Sequence, residues 1–258
     1  MLTVNYDNTD YTLFWNDISK LVKFAVMHTR WPMKQLLLDS GEIKLNEDYF
    51  TKEIFFHCLK NTYTSYCNTY LPFIPKSAKK IISVGSGISI FELIVSKYCT
   101  DSTMYLLDKS EISSNEQIHN FSESNKFGFY NSWDVVYDAI DASNLDKNRF
   151  IFLDPDDDWC DDADVVMGIY SWCWAFPFEV YAEKLLKSLK IGGTLILEIQ
   201  NPPDLRDVPS QISELMGDSL IFHVGKKIEA IAQEQENKKF NINSNNEYGG
   251  LYVWTRKK

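Results

Sequence analysis

No stretch of this 258-residue chain approaches the run of about eighteen uncharged apolar residues that a membrane-spanning helix needs. The N-terminus, MLTVNYDNTDYTLFW, has early acids and lacks the basic-then-apolar order of a secretory signal. These absences predict a cytoplasmic protein with no membrane partner. Cysteine is sparse too: Cys58, Cys67, Cys99, Cys160 and Cys173 are odd in number and form no C-x-x-C pair. Neither a disulfide framework nor a zinc site is suggested, so buried free thiols are expected. Positive charge is outweighed, with 26 Lys and Arg against 36 Asp and Glu and a net charge of -10. A phosphate backbone attracts the opposite balance. The pairs Lys79-Lys80, Lys226-Lys227 and Lys238-Lys239 are short and read as solvated surface, so no nucleic-acid partner is expected.

Glycine is scarce at the start, where residues 1–78 hold only Gly41. Apolar residues there recur at helical spacing (Phe14, Ile18, Leu21, Val22, Ala25, then Ile54, Phe55, Cys58, Leu59) and predict an N-terminal helical region. Pro72 and Pro75 then break the pattern. Beyond them the chain alternates between strand-like and helical segments. Residues 80–84 (KIISV), 103–107 (TMYLL), 149–153 (RFIFL), 163–169 (ADVVMGI) and 194–199 (TLILEI) are short, nearly continuous apolar runs. Such runs suit strands buried on both faces of a parallel sheet. Helices are expected between them at 90–98, 132–144 and 179–189, the last stopped by Lys190 and the Gly192-Gly193 pair. One more helix fits 209–216, a weaker strand lies within 220–233, and YGGLYVW closes the chain as a strand. The polar, Asn-rich segment 234–246 offers no crossover helix, so the last two strands are expected to pair antiparallel. The fold class is α/β, a doubly wound Rossmann-like sheet.

In such a sheet ligands sit at the carboxyl ends of the strands, where the strand order reverses. The first strand of the alternation ends in VGSGIS, with Gly85, Ser86 and Gly87 in the turn. A third glycine is missing, because Ser89 and Ile90 stand in its possible places. The P-loop is excluded, since no Lys-Ser/Thr pair follows the second glycine. Asp108, about twenty residues on, ends the second strand in YLLD, where a carboxylate can accept from both ribose hydroxyls. Asp154 ends the third strand in FLDP. Either acid can instead be an ordinary surface residue.

Taken in order, VGSGIS, YLLD, FLDP, DADVVMGIYSW and LKIGGTLILEI resemble the class I S-adenosylmethionine-dependent methyltransferases over residues 79–258. The resemblance implies a seven-stranded sheet ending in an antiparallel hairpin, with residues 1–78 as a helical lid. It implies S-adenosyl-L-methionine as cofactor. Gly85, Ser86 and Gly87 would pack on its methionine part, Asp108 would hold the ribose and Asp154 the adenine, with Ser83, Lys109, Pro155 and Tyr170 completing the site. This sequence departs from the family pattern at Ser83, where an acid is usual, and at Ser89, where a glycine is.

The segment after the fourth strand, YSWCWAFPFE, borders the sulfonium and the methyl acceptor in that family. Ser171, Trp172 and Trp174, with Trp31, are the candidate contacts for a small-molecule substrate, because aromatic faces stack on sugars and exclude water. The same rings can be ordinary packing. An oxygen acceptor must lose a proton, and His28 and Glu179 are the candidate bases. Some sugar O-methyltransferases are similar around SWCWAFPFEVY. The acidic run DPDDDWCDD lacks the spaced ligands and glycine of a calcium loop, so no metal is expected. Two alternatives stand beside this reading. An NAD-dependent oxidoreductase lacks support, because Ile90 replaces the third glycine and no Tyr-x-x-x-Lys pair follows the fourth strand. A non-catalytic binding module would be consistent with Ser83 and Ser89.

Overall fold

The first thirteen residues depart from the helical expectation for the N-terminal region. In the computed structural model, Leu2–Tyr6 (β1) and Thr9–Leu13 (β2) pair antiparallel, with Val4 opposite Tyr11 and Leu2 opposite Leu13. Those four side chains are buried, so the apolar period here is two. Asp7 and Asn8 join the strands with φ of 49° and 57°, the paired left-handed conformation of a tight hairpin turn. The structure describes residues 1–21, 52–108, 132–169, 171–172, 178–199, 208–217, 220–224 and 250–258. These divide into two compact units, one of Met1–Lys76, Gly87–Asp101 and Asp108–Phe150, the other of Ser77–Ser86, Ser102–Leu107 and Ile151–Lys258.

In the first unit, the hairpin packs with two helices, Lys52–Tyr70 (α1) and Ile90–Tyr98 (α2), and a third helix, Trp133–Ala142 (α3), belongs to the same unit. Aromatic edges fill this interior: Tyr66 meets Tyr63, Tyr70 and Phe91 at centroid distances of 5.3, 5.5 and 5.9 Å. Burial pushes the Cys67 thiol up to about 12, which keeps it protonated and unreactive at neutral pH. The chain leaving β2 is tied to α3. The Asp138 carboxylate accepts from the backbone N–H of Asn16 (2.9 Å) and Asp17 (3.0 Å), and the Ser143 hydroxyl accepts from Phe14 N–H (2.9 Å).

The second unit is built on a seven-stranded sheet. Its strands are Lys80–Val84 (β3), Thr103–Leu107 (β4), Phe150–Leu153 (β5), Ala163–Gly168 (β6), Leu189–Ile199 (β7), Leu220–Val224 (β8) and Gly250–Thr255 (β9). They lie in the order β5-β4-β3-β6-β7-β9-β8. β3 pairs parallel with β4 and β6, and β6 with β7, whereas β9 is antiparallel to both β7 and β8. The expected closing hairpin is therefore present. The order reverses at β3, which makes its carboxyl end the switch point where ligands bind in such sheets. Helices Glu179–Ser188 (α4) and Val208–Met216 (α5) bury Tyr181, Leu185, Ile212 and Met216 in a core with Ile82, Val84, Leu195, Leu197, Tyr252 and Trp254. Among the described residues, no helix is long and apolar enough to cross a membrane.

Two local details differ from the sequence expectation. The strand after α4 begins at Leu189, not at Thr194, and the Gly192-Gly193 pair sits in a bulge, since Ala163 pairs with Leu189 but Val165 with Thr194. Arg256 holds the bulge, donating its N–H to Gly193 O (2.9 Å) and accepting from Gly192 N–H (2.7 Å). No helix joins β5 to β6. The link 154–162 covers the sheet with the buried Trp159 instead, and Lys184 Nζ pins its backbone at Pro155 O (3.0 Å) and Asp157 O (2.6 Å).

Asp164, at the start of β6, accepts from Lys79 N–H (2.7 Å), Lys80 N–H (2.9 Å) and the Lys190 ammonium. Burial acts to raise its pKa, but these donors outweigh it and hold the carboxyl below the usual range. A depressed carboxylate pKa contributes stability above the unfolded value and loses it as pH falls through the folded one. Asp164→Asn is expected to cost about 1–2 kcal/mol at pH 7 and to flatten the loss of stability below about pH 4, measured by urea unfolding across pH.

Candidate functional site

The site is built where β3 ends. In the second unit, Gly85 follows Val84 with φ +70°, and the Gly85 and Ser86 N–H groups both donate to Leu107 O, at 2.7 and 3.2 Å. The β3–β4 ladder is thus carried past the strands into the turn. A Cβ on Gly85 would overlap that of Ser171 and come within 2.6 Å of its Oγ, so glycine is required here by conformation and by space. Ser171 is 8% exposed and donates its hydroxyl to Val84 O. Ser83 is buried one step earlier in β3. The Ser86 hydroxyl is buried and has no hydrogen-bond partner among the described residues, a cost that a bound polar group would remove.

In the first unit, the Gly87 N–H donates to Asp108 Oδ2 at 2.6 Å, which fixes the buried carboxylate at the end of β4. Ser89 stands at φ 53° and ψ 26°, the left-handed conformation that favours the glycine its position resembles. Its carbonyl accepts from Leu93 N–H (2.9 Å) and opens α2, while its hydroxyl reaches Gly87 O at 3.4 Å. Ser89→Gly is therefore expected to fold with stability within about 1 kcal/mol of the parent, relief of backbone strain offsetting the lost contact. A thermal melt checks it.

The remaining candidates divide. Asp154 ends β5 with an exposed side chain, its N–H donating to Asp157 Oδ2 (2.8 Å) in the turn that carries Pro155. Glu179 is exposed at the start of α4. Trp172 is corrected: it is fully buried, stacks on Phe178 at 5.3 Å and 13°, meets Trp159 edge-on at 6.1 Å, and donates its indole N–H to Phe178 O at 3.1 Å. A ring so enclosed offers no face to a substrate. Ser171 likewise turns to the glycine turn. His28, Trp31, Lys109, Tyr170 and Trp174 lie outside the described residues. Neither Leu107 O nor the Gly85–Ser171 contact carries a local pattern in the sequence. Among the described residues, no three His, Cys, Asp or Glu are grouped as metal ligands.

No protein-family model and no curated protein matches the sequence. Solved structures do. StiE O-MT residues 961–1257 is 15% identical with a TM-score of 0.51, covering 80% of this chain and 78% of that one. A longer piece, residues 942–1257, is 13% identical with a TM-score of 0.51, covering 87% and 81%. A geranyl diphosphate C-methyltransferase from Streptomyces coelicolor A3(2) is 10% identical with a TM-score of 0.49, covering 83% and 88%. At these identities the likeness is one of fold. The chain has the Rossmann-like fold of the class I S-adenosylmethionine-dependent methyltransferases.

Proposed function

We propose that the chain is an S-adenosylmethionine-dependent methyltransferase acting on an oxygen of a small-molecule acceptor, a sugar or similar metabolite. The observation that carries the reading is the Asp108 carboxylate, held by Gly87 N–H at the carboxyl end of β4, the neighbour of the switch strand. In this reading Asp108 accepts from the ribose hydroxyls. Ser83, Gly85, Ser86 and Gly87 flank the methionine part, and the Ser86 hydroxyl, without a partner among the described residues, fits a polar ligand there. Asp154, Pro155, Lys109 and Tyr170 border the adenine end.

The cofactor, when bound, supplies a methyl group activated by positive sulfur. The chain has to bind and orient it, exclude water, and take a proton from the acceptor oxygen. Trp174 and Trp31 are the proposed acceptor contacts, Glu179 and His28 the proposed bases, and residues 1–78 the proposed cover. The likeness to StiE O-MT supports oxygen as the acceptor.

Isothermal titration calorimetry with S-adenosylhomocysteine tests the core of this reading. Micromolar binding is expected, and no binding at millimolar ligand overturns it. Transfer of labelled methyl to a panel of sugars and polyols then tests the acceptor class.

A further inference from the structure

We propose that Ser171 is a positioning residue of the glycine turn, and that Gly85 lacks a side chain in order to admit Ser171 rather than a cofactor. Its consequence for ligand binding rests on the proposed methyltransferase reading, whereas the contact itself does not. β3 and β6 pair in parallel as far as Ser83 opposite Met167. The next carbonyl, Val84 O, takes its hydrogen bond from the Ser171 hydroxyl, so a side chain supplies the following rung.

The space above Gly85 is filled by the same residue, since an added Cβ would overlap that of Ser171. From the other side, Leu107 O accepts from Gly85 N–H at 2.7 Å and from Ser86 N–H at 3.2 Å. The turn is gripped by β4 on one side and by the continuation of β6 on the other. The Ser86 hydroxyl, buried and unpartnered among the described residues, is aimed by the peptide that these two grips hold. Ser171 therefore acts through the turn.

Ser171→Ala keeps the Cβ against Gly85 and removes only the donor. At a temperature where circular dichroism shows both proteins fully folded, it is expected to bind S-adenosylhomocysteine about fivefold to tenfold more weakly than the parent. A packing role alone would lower the melting temperature and leave that affinity unchanged, so parental affinity in folded Ser171→Ala overturns the positioning role. A double-mutant cycle of Gly85→Ala and Ser171→Gly, followed by urea unfolding, tests the contact. Ser171→Gly is expected to destabilise the parent but to improve the unfolding constant of Gly85→Ala about tenfold. If Gly85→Ala does not fold alone, recovery of a folded double variant supports the contact, and additivity or no recovery overturns it. A parent that binds no S-adenosylhomocysteine overturns the methyltransferase reading instead, and the cycle then decides the role of Ser171.

Discussion

Asp108→Asn is expected to weaken S-adenosylhomocysteine binding by about tenfold to a hundredfold while the protein stays folded. The amide has the shape of the carboxylate, and its oxygen can still accept from Gly87 N–H, now 2.6 Å from Asp108 Oδ2. What it loses is charge and acceptor capacity. Hydrogen bonds to charged groups contribute about 1.5–3 kcal/mol each, roughly twice neutral ones, and two ribose hydroxyls draw on that difference. The turn should survive, with a small fall in melting temperature. Calorimetry beside a thermal melt separates the two effects. Parental affinity in Asp108→Asn would remove this carboxylate from the cofactor site.

Trp172→Ala is expected to lose about 3–5 kcal/mol of stability in urea unfolding, the cost of emptying a large aromatic position. The indole stacks on Phe178, meets Trp159 and Tyr181 edge-on, and donates to Phe178 O, so truncation opens a cavity and strands a carbonyl. Trp172→Phe retains the ring over Phe178 and should cost less than half as much. A surface ring that meets substrate would behave in the opposite way, leaving stability near its parental value. Unchanged unfolding in Trp172→Ala would return this residue to the acceptor side.

Trp172 marks the limit of what the sequence makes legible. An aromatic cluster is visible in SWCWAFPFE, but which ring turns inward depends on Phe178 and Trp159, and no local pattern carries that. By contrast, β3, β4 and α2 match their expected bounds, because continuous apolar runs framed by breakers leave few alternatives. Asp108 is legible for the same reason, since a strand end fixes its place. The β1–β2 hairpin hides under a helical spacing that starts at Phe14, although Asp7-Asn8 between Val4 and Tyr11 is a local turn signal. The pairing of Ser171 with Val84 spans 87 positions and is invisible until the sheet forms. Even the bulge at Gly192-Gly193 reads from sequence as a helix stop, because glycine serves both purposes.

The helix-free link between β5 and β6 also sets the electrical character of that rim. Asp154, Asp156, Asp157 and Asp158 are exposed where the link leaves β5, whereas Asp161 and Asp162 are exposed where it enters β6, at the end of the sheet where Lys80 Nζ donates to Asp161 O. A helix in this place would bring its own end charges, whereas the link presents carboxylates that draw cations and repel anions. In the proposed reaction the four carboxylates that follow β5 would favour arrival of a positively charged sulfonium and gain nothing from its neutral product. Loading would then be faster at low ionic strength, and added salt would erode the difference between the two ligands.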